Sequence, residues 1–342
     1  MVAVDLGVCA SKAVHLERRS SGLVLRGFAV KDASALANSP TPEVLANQLK
    51  TLAQAVGVET KSLSLTVSAH ESITRIVDTP LIPMEEFRSV LKLNPRQYLQ
   101  QDLQDCVFDC HVLRYYTKDN SEAAGQAALK QAKQRVLIAG AKRQVVDRCV
   151  QAAKVAGLTA TQVFPSLLGP INAFELAMPT EFAGESLAII DIGFKSSSIC
   201  ILQKGELAFT RVVSIGGNRL TEALCESMKI SYAEAEGIKL GMAAEVQGEL
   251  ETAVLPLGRE LRASIDFFEH QTDTVVAQAF VSGGSASCPL LISLLENELR
   301  MDCKIWDPTT NLARDLTPQQ TSELEQVAPQ LAGAVGAALA AM

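Results

Sequence analysis

The chain has no C-x-x-C pair, no Cys/His spacing of the zinc kind, no stripe of basic residues and no apolar run long enough to cross a bilayer. Each absence excludes a class of protein. The eight cysteines (Cys9, Cys106, Cys110, Cys149, Cys200, Cys225, Cys288 and Cys303) are scattered through apolar contexts, and only Cys106 and Cys110 lie close in sequence. They read as reduced thiols packed as small hydrophobes in a cytosolic protein. His15, His70, His111 and His270 are isolated and carry no ligand or catalytic pattern. A net charge of −7 argues against a nucleic-acid binder, whose electrostatic footprint is basic. The start of the chain is strand-like and has neither the basic region nor the apolar core of a signal peptide, which predicts a cytoplasmic protein. The most apolar tail, residues 331–342, falls short of the roughly 20 residues a spanning helix needs and predicts a close-packed terminal helix.

At 342 residues, with 48% hydrophobic and 20% charged residues, the chain is long for one average domain and predicts two lobes. Two acidic turns share one design: Val2-Ala3-Val4-Asp5-Leu6-Gly7 and Ala188-Ile189-Ile190-Asp191-Ile192-Gly193. Each follows a short apolar run that reads as a buried strand. An aspartate beside a glycine at a strand end holds a hydrated cation while nearby backbone N–H groups meet phosphate. After each turn the plan repeats. Ala13–Leu16, a Ser20-Ser21-Gly22 turn and Leu23–Val30 match Ser198–Leu202, a Lys204-Gly205 turn and Leu207–Ile215, a duplication of topology rather than of sequence.

Helices are expected at Pro42–Val56, stopped by Gly57, and at Arg219–Met228 after Gly216-Gly217-Asn218. Ser62–Val67 and Ile73–Val77 read as strands closing the first lobe's sheet, and strands alternating with helices give an α/β class. From Pro80 to Gly157 the pattern changes to helix (Pro83 to about Leu99), strand (Val107–Tyr115), a polar hairpin or tip over residues 117–134, strand (Arg135–Ala139) and helix (Lys142–Ala156). This predicts an inserted subdomain over residues 80–157. Residues 1–79 and 158–180 then form the first lobe, in which Leu158–Val163 re-enters the sheet and Pro165–Met178 is a helix. Residues 181–342 form the second, with a helical subdomain at about 217–275. A last glycine signal, Ser282-Gly283-Gly284-Ser285, lies between the strand Ala279–Ser282 and a helix from Pro289 to about Leu299; such a turn lets a ligand approach backbone.

In this order the motifs resemble the actin, hexokinase and heat-shock chaperone nucleotide-binding superfamily, a two-lobed, duplicated ribonuclease H-like fold. Within it, Gly216-Gly217-Asn218-Arg219-Leu220-Thr221-Glu222-Ala223 after Phe209-Thr210-Arg211, together with the insertion, resembles the PilM family, FtsA-like proteins of type IV pilus assembly. The resemblance implies ATP and Mg²⁺ as cofactors, the metal held through water by Asp5 and Asp191. It places Gly7, Ser11, Lys12, Gly193, Ser196 and Ser197 at the phosphates, with Gly216, Gly217 and Asn218 in the nucleotide site. Glu236 and Lys239 fall at the ribose and base, and Gly283, Gly284 and Ser285 against the adenosine. It also implies a partner, the short cytoplasmic N-terminal peptide of an inner-membrane PilN-type protein, beside other pilus inner-membrane components, with membrane contact only indirect and self-association open. The helix Met84–Leu99 and strand Val107–Tyr115, with Tyr98 and Phe108, are the candidate docking surface.

Spacing alone gives plainer readings. Lys12 and the Glu236/Lys239 pair read as solvated surface charges, the pair worth about 0.5 kcal/mol, and the two aspartates as turn caps. Where family members carry small hydroxyl residues after the first Asp-x-Gly, this chain has Val8, Cys9 and Ala10, with Ser11 alone supplying a hydroxyl. Each lost donor weakens phosphate binding by about 1 kcal/mol, so nucleotide binding is expected over fast hydrolysis. A small-molecule kinase of the same superfamily needs an acidic base, for which Asp78 and Asp109 are candidates. A scaffold that has lost nucleotide is the third reading.

Overall fold

Residues alternate between two buried faces along the central strands, and this decides the layering. The computed structural model describes residues 1–33, 40–57, 59–99, 105–117, 132–241 and 243–342; the hairpin or tip expected over 117–134 falls mostly outside them. The first sheet has the order β14-β3-β2-β1-β4-β8, built from β1 (Val2–Asp5), β2 (Ala10–Arg19), β3 (Gly22–Asp32), β4 (Ser62–Val67), β8 (Thr159–Pro165) and β14 (Ala313–Arg314). The second has the order β11-β10-β9-β12-β13, from β9 (Leu187–Ile192), β10 (Ser197–Gln203), β11 (Glu206–Val213), β12 (Ala279–Ser282) and β13 (Cys303–Ile305).

In the first sheet Val2, Val4, Ala13 and Leu65 pack on α1 (Pro42–Ala55) and α4 (Arg143–Val155), while Ala3, Val14, Leu16 and Leu25 face the other way. In the second, Ile190, Ile199 and Ile201 pack beneath α7 (Gly217–Met228), α9 (Gln247–Thr272) and α10 (Pro289–Leu299). Its opposite face, with Ile189, Cys200 and Phe280, joins the inner face of the first sheet in one core. Filling that shared core are α5 (Gly169–Ala177) and the apolar tail helix α12 (Ala332–Ala340). The tail is thus the expected close-packed helix, lodged between the sheets.

The inserted region differs from expectation in three ways. β5 (Ser72–Pro80), expected in the first sheet, pairs instead with β7 (Ala132–Lys142), which pairs with β6 (Cys106–Thr117) in a separate three-stranded sheet. The helix expected to run to Leu99 breaks at Asn94-Pro95 into α2 (Met84–Leu93) and α3 (Arg96–Leu99), because proline disfavours helical geometry at the residue before it. α4, expected in the insertion, buries Val145, Cys149, Ala152 and Ala153 against Leu45, Leu49 and Leu52 of α1. The insertion's own core is small, consisting of Phe87, Leu91, Leu99, Cys110, Val136 and Ile138. Tyr98 and Phe108 are partly buried against it, with Tyr98 edge-on to Phe87 at 5.2 Å.

Candidate functional site

Asp5 is the last residue and Asp191 the last but one of the middle strand of its triplet, and strand register selects its neighbours. Asp5 stands opposite Lys12 on antiparallel β2 and beside Thr66 on parallel β4. Asp191 stands opposite Ser198 on antiparallel β10 and beside Ser282 on parallel β12. The hydroxyl on the parallel side donates to the carboxylate in both: Thr66 Oγ1 to Asp5 Oδ1 at 2.5 Å, and Ser282 Oγ to Asp191 Oδ1 at 3.1 Å. On the antiparallel side the halves part. Lys12 Nζ bridges Asp5 Oδ2 at 3.3 Å, whereas serine brings no charge to Asp191.

Both carboxylates open onto one cleft of about 540 Å³ between the sheets. Its wall includes Asp5, Gly7, Lys12, Asp191, Gly193, Ser196, Gly217, Glu236, Lys239, Gly283, Gly284 and Ser285 of the expected residues, and also Val8, Cys9 and Ala10. The carboxyl of Asp191 is pushed above the usual carboxylate range, chiefly by burial; the Lys12 charge opposes this, the Asp5 charge adds to it, and the Ser282 hydrogen bond opposes it. Cys9 is exposed, but the protein around it still desolvates its thiol and raises it; the Asp32 and Glu236 charges add to this while Lys12 and Lys239 oppose it, and Cys9, Glu236 and Lys239 share the cleft wall.

Four expected residues do not present a side chain to the cleft. Ser11 is wholly buried on the face of β2 opposite Lys12, and its hydroxyl has no hydrogen-bond partner among the described residues. Ser197 is buried and donates to the Ile215 carbonyl at 2.7 Å. Asn218 donates to Glu222 and accepts from Tyr232. Gly216 works through packing, since a Cβ there would lie 2.4 Å from the Phe194 carbonyl. The first amides of α7 are also engaged, Gly217 N–H with Gly193 O and Asn218 N–H with Phe194 O, both at 2.9 Å. The Gly-Gly-Asn turn therefore clamps the loop after Asp191. Gly283 has φ +97°, and a Cβ there would lie 2.5 Å from the Ile192 carbonyl, so only glycine fits.

Lys239 is buried rather than solvated; its amine meets Glu236 at 2.7 Å, Thr221 at 2.8 Å and the Gly217 carbonyl at 3.5 Å. The surface ion pair suggested by spacing is not what forms. Sequence reasoning missed Thr66 and did not assign Ser198 or Ser282 to the site, although pairing places all three beside the aspartates; it also missed Lys195, Gln326 and Gln330, which line the cleft with Ser198 and carried no motif. Asp78 and Asp109 lie on the three-stranded sheet, bound to Arg135 and Arg88, and neither lines the cleft.

Among the described residues no group of three or more His, Cys, Asp or Glu forms a metal cage. Two carboxylates and one lysine at a polar cleft do fit Mg²⁺, which keeps several waters and takes one or two carboxylates plus phosphate oxygens. The half-buried carboxyl of Asp191, which has a hydroxyl but, among the described residues, no salt-bridge partner, is where a cation is best compensated.

The family model for type IV pilus assembly protein PilM matches residues 3–342. The chain belongs to the PilM family. A solved PilM-PilN type IV pilus biogenesis complex matches with a TM-score of 0.82 at 23% identity, over 99% of this chain and 97% of that one. The ethanolamine utilization protein EutJ from Carboxydothermus hydrogenoformans matches with a TM-score of 0.57 at 14% identity, over 99% and 88% of the two chains. MreB 5 of Spiroplasma citri, bound to AMPPNP, gives 0.50 at 10% identity over 95% of each chain. The fold is two-lobed and actin-like, as in these structures. Cell division protein FtsA of Bacillus subtilis (strain 168) is 31% identical over 103 residues, 30% of this chain; the match spans only 22% of the length of that protein. Among the described residues no helix is long and apolar enough to cross a membrane.

Proposed function

We propose that this PilM-family chain is a cytoplasmic, ATP-binding assembly protein of a type IV pilus or related secretion machine, which binds the cytoplasmic N-terminal tail of an inner-membrane PilN-type protein and reaches the membrane only through it. The observation that carries the nucleotide is the convergence of Asp5, Lys12 and Asp191, from two sheets, on one cleft. In this reading Mg²⁺ sits by water at Asp5 and Asp191, with Lys12, Gly7, Gly193 and Ser196 at the phosphates, Glu236 at the ribose, and Gly283, Gly284 and Ser285 at the adenosine. The AMPPNP on the MreB relative and the PilN in the PilM-PilN complex support ligands of these two kinds. Nucleotide acts as a switch by binding the closed arrangement better than the open one, which needs differential affinity and no hydrolysis. Val8, Cys9 and Ala10 on the cleft wall supply no side-chain hydroxyls for turnover. The kinase reading has less support, since Asp78 and Asp109 pair with Arg135 and Arg88 away from the cleft.

The test is thermal unfolding with and without Mg·ATP, whose stabilisation follows RT ln(1 + [L]/Kd). Wild-type protein is expected to gain about 3 kcal/mol at a hundredfold excess over Kd. Asp191→Ala should abolish the gain. No shift at millimolar nucleotide would favour an empty scaffold.

A further inference from the structure

Lys239 and Glu236 lie on α8 (Tyr232–Gly241), one turn apart, and the sequence offers both as ligand contacts. Their hydrogen bonds separate them. The three N–H donors of the Lys239 amine match its three neighbours, Glu236 Oε2, Thr221 Oγ1 and Gly217 O, and the residue is 4% exposed. It has no donor left for a ligand. Thr221, wholly buried on α7, holds the middle of the cluster: its hydroxyl accepts from Lys239 and donates to Glu236 Oε2 at 2.6 Å, with the Gly217 carbonyl as an alternative acceptor at 3.1 Å. Both bonds to Glu236 fall on the one oxygen. Among the described residues no hydrogen bond reaches Oε1, and the Glu236 side chain is 37% exposed on the cleft wall.

From this arrangement we infer that Thr221 and Lys239 are buried positioning residues that hold Glu236 so that Oε1 alone accepts from the vicinal diol of a ribose. The inference rests on the nucleotide reading above and deepens it. Two donors on Oε2, one of them charged, restrict the rotamers of the carboxylate and leave Oε1 as its open acceptor. The same cluster reaches the phosphate end. The Gly217 carbonyl accepts from the Lys239 amine, and the Gly217 N–H donates to the Gly193 carbonyl, two residues past Asp191. One hydrogen-bonded path therefore runs from the loop after Asp191, through Gly217 and Lys239, to the Glu236 carboxylate.

The experiment compares binding of Mg·ATP, Mg·2′-deoxy-ATP and Mg·tripolyphosphate to wild type, Thr221→Val and Thr221→Ser, read by the fluorescence of the single tryptophan, Trp306, and by calorimetry. Wild type should prefer ATP over the deoxynucleotide by about tenfold, the range for a hydrogen bond to a charged group. Thr221→Val, isosteric but without the hydroxyl, should bring that ratio close to one while leaving tripolyphosphate binding unchanged, and Thr221→Ser should restore the ratio. A Thr221→Val ratio equal to that of wild type overturns the inference. Equal weakening of all three ligands also overturns it, because the hydroxyl then serves only the fold. Wild-type protein that binds none of the three overturns the nucleotide reading itself, and this inference with it.

Discussion

The Asp5 and Asp191 triplets have the same backbone and opposite electrostatics. Each has an aspartate at a strand end, an antiparallel partner on one side and a hydroxyl on a parallel strand on the other. In the first half the antiparallel partner is Lys12, and the Asp5 carboxylate is paired; in the second it is Ser198, and Asp191, half-buried at the cleft wall, has a hydroxyl and, among the described residues, no salt-bridge partner. A duplicated topology fixes where side chains point. It does not fix their charge, and the one exchanged position makes the second carboxylate the one that gains more from a bound cation.

The walls beside the two carboxylates differ in slack, and this gives the largest expected effect. Gly283, which follows the hydroxyl partner of Asp191, sits at positive φ with backbone 2.5 Å from where a Cβ would be. Gly333 stands next to Asp5, but a Cβ there would meet the Asp5 carboxyl at an ordinary 3.4 Å. Gly283→Ala is expected to cost about 3 kcal/mol through strain and overpacking, while Gly333→Ala stays within about 0.5 kcal/mol of wild type. Chemical denaturation measures both. Equal losses would mean that the two walls are alike.

Next in size is the pH dependence, which belongs to Asp191. Burial raises its pKa in the folded state above the usual 3.8, so the folded protein holds this proton more tightly than the unfolded chain does. The stability this lends is present below the unfolded value and is lost as pH rises through the raised folded value. Ligand-free wild type should therefore lose stability relative to Asp191→Asn as pH rises from about 4 towards about 8, and saturating Mg·ATP should remove the difference by compensating the ionised carboxylate. Parallel urea-stability profiles for the two proteins would show that the unpaired charge has no cost, and the contrast with Asp5 would fall.

The strands and turns that carry both aspartates were legible in the sequence because both-faces burial writes itself as short apolar runs and tight turns as glycines. The cleft-facing set was legible only in part. Ser11 and Ser197 are the expected residues in the wrong pleat: each lies six positions after its aspartate, while the residue one further on, Lys12 or Ser198, is the one that lines the cleft. Choosing between them needs the register, which a single sequence does not display. Thr66, and the pairing of Ser282 with Asp191, were missed for a related reason, since parallel neighbours are joined through long connections that carry no signal of which strands will pair. The misplacements of β5 and α4 have the same origin, because pattern gives an element's type while the choice of sheet or layer depends on which distant core has room.

The smallest effect separates those two wrong-pleat serines. Ser197 satisfies the Ile215 carbonyl, so Ser197→Ala leaves a buried acceptor unmet and should cost about 1 kcal/mol. Ser11 has a buried hydroxyl without a partner among the described residues, so Ser11→Ala removes a desolvated group at no loss and should be neutral or stabilising by about 0.5 kcal/mol. Neither change should alter Mg·ATP affinity, because both side chains lie away from the cleft. If Ser11→Ala instead weakens binding of Mg·ATP while Ser197→Ala does not, then the Ser11 hydroxyl reaches the phosphates, the first turn keeps the one donor its sequence retains, and the register that puts Lys12 alone at the cleft is wrong for the bound state.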